Sequence, residues 1–478
     1  MSYKRTEISS EELRVQEGFM AKVRELNASR ENKPLAFVDT YGCQQNEADS
    51  EKIRGMLAEM GYDFTRSERE ADVIVINTCA VREHAETRVF GNVGALVHTK
   101  RAKPEQIIAL CGCMVQQPSA AERLKKSYRH VDIVFGPHAL WRFPELLYGA
   151  AVGSERLFAV DPSDGEIAEG LPVRRDGKIK AWLSIMYGCN NFCSYCVVPY
   201  VRGRERSRRP EDIIADAKEL IAAGYRDITL LGQNVNSYGG DLGGETDFSE
   251  LLRMINDLPG DFLIRFMTSH PKDAGEKLFR TMAECGKVAK HLHLPFQAGN
   301  DRVLKTMNRR YTRSGYLALA ERARELMPDI VLTSDVIVGF PGETEAEFED
   351  TMTLIDRVKF DALFTFIYSP RKGTPAAEME DPFTREEKQR RFERLVAAQN
   401  AISAEKHASY NGTVQRVLVD GLSDDADFPL TARTNGGRLV HLKGGRALIG
   451  DFIDAKIVSS NTWALFGEAI GADREADI

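Results

Sequence analysis

The sequence predicts an α/β protein in three parts: an N-terminal parallel α/β sheet, a central series of βα units and a small C-terminal β-region. Three observations carry this. Short apolar runs alternate with helical patterns from Lys33 to Ala150 and again from about Ile179 to Asn400, and such alternation belongs to parallel sheets. From Asn411 to Glu468 the runs are short, β-rich and separated by Gly, Asp or Asn, as in an antiparallel small barrel or sandwich. The 478 residues give room for about three domains at roughly 150 residues each. The divisions fall at 1–32 for an N-terminal extension, 33–150, 175–405 and 408–470.

The elements follow in order. MSYKRTEISSEELRVQEGFMAKVREL lacks the apolar core of a signal peptide and reads as a polar helix or a mobile extension. LAFVDTYGC is a β-rich run before the helical EADSEKIRGMLAEMGY, and DVIVINTC is a buried-type strand before AETRVFGNVGALVHTKR. IIALCGC is a third strand, followed by a helix near Ala120 to Ser127 and by VDIVFG. In the second part the strand-like runs are AWLSIMYG, DITLLGQNV, FLIRFMTS, KHLHLPFQ, IVLTSDVIVGF and ALFTFIYS, closed by the helical TREEKQRRFERLVAAQNAISAEKHASY. Six βα units suit a partial barrel or an open doubly wound sheet, and the pattern leaves both open.

Composition narrows the class. A hydrophobic fraction of 43% and a charged fraction of 28% suit a globular protein with a large core. A net charge of -7 excludes a protein that coats polyanions with its whole surface, so any nucleic-acid contact must come from local patches. No run of eighteen apolar residues appears, so no membrane contact is expected and the chain is expected in the cytoplasm. There its eight cysteines stay reduced, and clustered ones serve as metal ligands or catalytic groups.

YGCNNFCSYCVVPYVRGRERSRR carries Cys189, Cys193 and Cys196 with the spacing C-x3-C-x2-C. A structural zinc site closes with four ligands, and cubic iron–sulfur clusters are usually held by four thiolates. Three thiols in one loop leave one iron of a cube open for a substrate or cofactor. The loop follows a strand and so lies at the C-terminal mouth of the α/β region, where such folds place their sites. The plainer alternative is a zinc loop completed by a distant residue. A second trio, Cys43, Cys79 and Cys113, ends three successive strand runs, and in a parallel sheet such ends can converge on one point. The alternative is three buried small hydrophobes. Cys111 precedes Cys113 by two, but Gly112 suggests that the strand is already turning, so Cys113 reads as the ligand. Cys111 and Cys285 read as structural thiols.

The C-x3-C-x2-C loop with βα units behind it resembles the radical SAM enzymes, and the order of parts resembles their methylthiotransferase family. The resemblance runs from about Lys33 to Glu468. VVPYVRGRERSRR, LLGQNVNSYGG, LHLPFQAGNDRVLKTMNRRYT, SDVIVGFPGETEAEF and FTFIYSPRKGTPAA look like the branch that modifies tRNA rather than the sister branch acting on a ribosomal protein. Phe296 and Ala298 stand where Val and Ser are more usual. The resemblance implies a partial (βα)6 barrel in the centre and a TRAM-like RNA-binding β-barrel at the end. It implies that Cys189, Cys193 and Cys196 hold a 4Fe-4S cluster that binds S-adenosylmethionine (SAM) and cleaves it to a 5′-deoxyadenosyl radical. Cys43, Cys79 and Cys113 would hold an auxiliary 4Fe-4S cluster carrying the sulfur to be inserted. The substrate would be tRNA with N(6)-isopentenyladenosine, that is N(6)-(dimethylallyl)adenosine, at position 37, methylthiolated at adenine carbon 2. A low-potential electron donor such as flavodoxin or ferredoxin and a monomeric state are expected with it.

Several residues are read against that chemistry. Arg202, Arg204, Arg206, Arg208 and Arg209, with Arg309 and Arg310, are expected as an RNA-phosphate patch, since the guanidinium fork suits phosphate. The alternatives are a solvated surface paired with Glu205 and neighbouring acids, or one arginine steadying the SAM carboxylate. VGFPGETEAEF is a strand-to-helix turn with Thr344 and Glu347 at capping-box spacing; Gly339 and Glu343 there, and Gln233, Asn234 and Asn236 at another strand end, are expected to contact SAM. His291 and His293 read as buried and satisfied. Asp424, Asp425 and Asp427 offset Arg433, Arg438 and Lys443, so charge alone does not mark the last domain as an RNA binder. The rival readings are a methylthiotransferase for another tRNA adenosine or a ribosomal protein, an iron–sulfur electron carrier with an RNA-binding tail, and a zinc-stabilised RNA-binding protein.

Overall fold

The structure, a computed structural model, describes residues 7–80, 83–153, 155–160, 165–244 and 246–471. The chain divides into two compact units: Met1–Asp176 with Ser184–Phe192 and Cys196–Asp212, and Gly177–Leu183 with Cys193–Tyr195 and Ile213–Ile478.

The first unit is an α/β sheet of β1 (Leu35–Tyr41), β2 (Asp63–Phe64), β3 (Val73–Thr78), β4 (Ile107–Gly112), β5 (Ile133–Phe135) and β6 (Leu157–Ala159), in the order β2-β1-β3-β4-β5-β6. Every neighbouring pair is parallel. β3, β4 and β5 are buried throughout, which explains their unbroken apolar sequences. The sheet grows from β1 to β2 on one side and through β3 to β6 on the other, so a topological switch point lies between β1 and β3. Ligand crevices form at the carboxyl ends of strands at such points. Helices cover both faces, giving one core around Ile53, Met56, Phe135 and Phe143 and another around Ile74, Val89, Phe90 and Leu110.

Within the stretch expected as an extension, the helix Ser10–Ala28 is part of this unit. It puts Met20 and Val23 into the core shared with Ile53 and Phe143. Burial of each such side chain contributes about 1.5–3 kcal/mol. Ser9 and Glu12 close its first turn with a reciprocal capping box.

The second unit opens with β7 (Lys180–Ser184). The chain then returns to the first unit for the antiparallel pair β8 (Met186–Tyr187) and β9 (Arg206–Ser207). β10 (Asp227–Leu231), β11 (Leu263–Phe266), β12 (His291–His293), β13 (Val331–Val338) and β14 (Ala362–Ile367) complete the second unit's α/β part. The sheets β11-β10-β7 and β12-β13-β14 meet at a parallel bridge between Ile264 and Val288. The six strands therefore stand side by side in chain order. A doubly wound sheet reverses its order, so this is the partial (βα)6 barrel.

β15 (Val414–Leu422), β16 (Leu430–Thr434), β17 (Leu439–Lys443), β18 (Phe452–Ser460) and β19 (Leu465–Ala469) form a closed barrel in the order β15-β16-β17-β19-β18. Its pairs are antiparallel except β17 with β19, which run parallel, so the antiparallel expectation needs this one correction. Arg265 donates to the carbonyls of Thr434 and Asn435, and a buried Arg438–Asp361 ion pair adds a second tie to the barrel. Among the described residues no helix is long and apolar enough to cross a membrane.

Candidate functional site

In the first unit, Cys43, Cys79 and Cys113 leave the sheet at one level. Tyr41 pairs with Thr78 and Thr78 with Gly112, and the cysteines follow these residues by two, one and one positions. Cys43 and Cys79 flank the switch point. Gly112, at φ +95°, turns the chain away after Cys111, and a Cβ there would stand 2.4 Å from the Asn77 Oδ1 and the Thr78 carbonyl. Cys111 stays in the apolar core while Cys113 faces Ala80, Val197 and Val201. Behind the thiols, Asn46 donates to Asn77 Oδ1 (2.8 Å) and to the Thr78 carbonyl (3.0 Å), tying the helix after Cys43 to β3.

The electrostatics of the trio are uneven. A hydrogen bond from Cys79 pulls the Cys43 thiol down to about 6, with help from Arg202. Burial pushes Cys113 up to about 11, against the pull of Arg202. Arg202 ends the helix Val198–Arg202, which begins two residues after Cys196. Its Nε donates to Cys113 Sγ at 3.0 Å and its Nη2 to Asp49 Oδ2 at 2.8 Å. A charge-assisted donor to sulfur is what a cluster thiolate accepts.

The thiols of the C-x3-C-x2-C loop fall in both units. In the first, Cys189 is buried, and its N–H donates to the Gly203 carbonyl at 3.1 Å; Cys196 is half-buried. Gly188 before it has φ +77°, and a Cβ there would lie 1.9 Å from the Arg204 carbonyl oxygen. Gly188→Ala therefore combines a left-handed backbone with a backbone clash and should cost about 3 kcal/mol in urea unfolding. In the second unit, Cys193 is buried and Arg309 Nη1 approaches its sulfur at 3.5 Å.

The arginine patch expected from sequence is largely not a surface. Arg202, Arg206, Arg208 and Arg309 are buried. Arg206 donates to the carbonyls of Arg204 and Arg202, and Arg208 forks onto Glu169 and the Ser184 carbonyl. Burying a charge demands such partners, so these four are internal braces rather than phosphate contacts. Arg209 and Arg310 are exposed, though Arg209 pairs with Asp212 at 2.9 Å. Arg204 is half-buried over the Phe192 ring.

At the mouth of the second unit, Gln233, Asn234 and Asn236 follow β10 directly. Asn234 donates to Asp273 at 2.7 Å, while its Oδ1 is buried with no hydrogen-bond partner. Both polar atoms of the Asn236 amide are likewise buried and unpartnered. Orphaned amides at a strand mouth fit a polar ligand, since leaving each unmade costs about 1–3 kcal/mol. Glu343 behaves differently. Its carboxylate accepts from the Gly339 N–H at 2.8 Å beside Arg391, and burial pushes its pKa up to about 7. It holds its own turn. The capping box of Thr344 and Glu347 forms as the spacing predicts. His291 and His293 share Thr333 Oγ1, at 2.8 and 3.0 Å, and are satisfied as expected, though only His293 is fully buried and His291 is half-buried. Cys285 is buried at a helix end.

Asp49 belongs to no motif in the sequence. Its signal was a polar stripe, Gln45, Asn46, Asp49 and Ser50, buried on one side of the helix Gln44–Glu59 where an apolar face is the rule. Among the described residues no three His, Cys, Asp or Glu side chains are grouped to chelate a single metal ion. A cube seats each thiolate on a different iron, so its ligands need not crowd as those of one zinc do.

Comparisons with known proteins agree with this layout. The model of the Radical SAM superfamily matches residues 183–355, that of the TRAM domain 408–470, and that of the uncharacterized protein family UPF0004 36–136. A tRNA-2-methylthio-N(6)-dimethylallyladenosine synthase of Acetivibrio thermocellus is 50% identical over 467 residues, covering 97% of each chain. The chain belongs to this synthase family. Another member, from Clostridioides difficile, is 46% identical over 469 residues, 97% of this chain and 98% of its own. Among solved structures, the radical S-adenosylmethionine methyltransferase TsrM from Kitasatospora setae, with cobalamin and a [4Fe-4S] cluster bound, is similar at TM-score 0.55 and 13% identity, over 72% of this chain and 74% of that one. That likeness is one of fold. The synthase match covers 97% of the chain, beyond what the three domain models span.

Proposed function

We propose that this chain is a transferase that methylthiolates N(6)-(dimethylallyl)adenosine at position 37 of tRNA, at adenine carbon 2, giving 2-methylthio-N(6)-(dimethylallyl)adenosine. The observation that carries the reading is that Cys43, Cys79 and Cys113 closely follow three neighbouring parallel strands, with a buried arginine donor on Cys113. Sequence identity of 50% over 97% of a synthase supports the substrate. Cys189, Cys193 and Cys196 would hold the SAM-binding 4Fe-4S cluster, and the trio at the switch point the auxiliary one. Together these groups supply one-electron cleavage of SAM and the sulfur to be inserted. The chain's own part is to fix the thiols, with Gly188 and Gly112 setting the turns, and to exclude solvent from buried Cys79, Cys113, Cys189 and Cys193. Gln233, Asn234, Asn236, Gly339 and Glu343 are proposed to meet SAM, the two orphaned amides foremost. Arg204, Arg209 and Arg310 remain as RNA contacts, helped by the C-terminal barrel. On that barrel His441 stacks on Phe466 at 5.3 Å, an aromatic surface of the kind unpaired bases use. The division into 33–150, 175–405 and 408–470 is retained as the functional one, with a low-potential flavodoxin or ferredoxin as donor, a monomer as the working form and the cytoplasm as the compartment.

The test is nucleoside mass spectrometry. Reconstituted protein, SAM and reductant are incubated without oxygen with tRNA carrying isopentenyladenosine. A mass gain for ring hydrogen replaced by S-methyl is expected. Production of 5′-deoxyadenosine without that gain would move the substrate to another adenosine or a protein. Neither product, from protein with both clusters verified, overturns the enzyme reading.

A further inference from the structure

Two buried arginines reach a cysteine of the two trios, and their charges are balanced differently. Arg202 in the first unit has Asp49 as a carboxylate partner. Arg309 in the second has no carboxylate partner among the described residues. Its Nη2 donates to the Pro295 carbonyl at 2.6 Å, its Nε to Tyr311 Oη at 3.0 Å and its Nη1 to Cys193 Sγ at 3.5 Å. It is 8% exposed, and burial works against its charge. A guanidinium kept from water without an acid nearby is costly unless another anion supplies the counter-charge. The sulfur in its reach is that of Cys193.

The chain also fixes this approach rigidly. Ser194, the next residue, receives no freedom: its N–H donates to the Met307 carbonyl at 3.0 Å, its Oγ to the Thr306 carbonyl at 2.9 Å, and its own carbonyl accepts from Ala376 at 2.8 Å. Thr306 and Met307 lead directly into Arg309 through Asn308, which turns at φ +57°. Tyr311, the acceptor of Nε, is itself anchored to the Phe296 carbonyl at 2.7 Å. Cysteine and arginine are thus bolted together at their backbones.

We propose that Arg309 is a positioning residue that poises the SAM-binding cluster: its uncompensated charge and its N–H toward Cys193 raise the midpoint potential of that cluster and favour its reduced form. The inference rests on Cys193 being a ligand of that cluster. Reduction adds one negative charge, which a fixed cation beside a ligand sulfur stabilises; net charge and hydrogen bonds to sulfur are the levers that set such potentials. Arg202 exerts less of this effect, because Asp49 already offsets it.

The experiment is an EPR-monitored redox titration of the anaerobically loaded full chain, with the cluster identified by the response of its signal to SAM. Arg309→Met and Arg309→Gln remove the charge; Arg309→Lys returns it. At fixed potential both neutral variants should hold about tenfold less reduced cluster, a downward shift of about 59 mV for a one-electron couple. The lysine variant should recover most of it, which a purely structural role would not produce. Parental potentials in the neutral variants overturn the proposal. Should neither neutral variant retain the cluster, retention by the lysine variant supports the same dependence on charge, and loss in all three overturns it. Absence of any SAM-responsive signal in the parent protein overturns the site reading itself, and is distinguished from the other results by that.

Discussion

Protein carrying Cys113→Ala should still cleave SAM to 5′-deoxyadenosine and should insert no sulfur, whereas Cys189→Ala should do neither. The prediction follows from where the two residues lie. Cys113 leaves β4 beside β3 and belongs to the trio at the switch point; Cys189 opens the C-x3-C-x2-C loop after β8. Removing one thiol from the first set leaves the second complete. Folding should survive. Cys113 sits in a small apolar cluster with Ala80, Val197 and Val201, so losing one sulfur atom there should cost roughly 1 kcal/mol. Arg202 loses its acceptor on sulfur but keeps Asp49 at 2.8 Å, so no buried charge is stranded. Liquid chromatography of 5′-deoxyadenosine and mass spectrometry of nucleosides, run on the same reactions, separate the two activities. Cleavage by the Cys113 variant should stay near the parental rate, while both products of the Cys189 variant should fall to background. If folded Cys113→Ala protein with its remaining cluster loaded loses both activities, the trios do not have separate roles.

Much of this site is legible in the sequence because its marks are local. Cysteines at fixed spacing after strand runs need only strand boundaries to be read, and a parallel sheet then brings Cys43, Cys79 and Cys113 to one edge. Gly112 marks the turn that separates Cys113 from Cys111. What sequence does not carry is the partner of a charge. Arg202, Arg206 and Arg208 follow one another at intervals in a basic run and read as a phosphate patch. Arg206, in β9, and Arg208, just after it, are in fact buried, one onto carbonyls and the other onto Glu169, which lies 39 residues away. Partners that distant are set by the fold alone. The same limit applies to strand order: the alternation of strands and helices is identical for a partial barrel and a doubly wound sheet, and only the pairing of β7 to β14 in chain order decides.

Asp49→Asn should destabilise the first unit by about 3–5 kcal/mol, the largest stability effect expected of a single side chain near the candidate site. The side chains of Asp49 and Arg202 are 8% and 6% exposed, so water screens neither. The asparagine keeps the volume and the contact with Gln45 but removes the counter-charge, leaving a buried guanidinium on a thiol that burial keeps protonated to about pH 11. Two further measurements separate this cause from simple misfit. In urea unfolding of the double variant Asp49→Leu/Arg202→Met, an apolar pair of similar volume should recover most of the loss, because no charge is then stranded. Loading the iron–sulfur cluster should also shrink the penalty of Asp49→Asn, since an ionised Cys113 takes over the counter-charge, and ligands bound only by the folded state add their binding energy to stability. A penalty of under about 1 kcal/mol, or one unchanged by loading, would mean that Asp49 does not hold the charge of Arg202 and that the brace between the helix after Cys43 and the segment after Cys196 lies elsewhere.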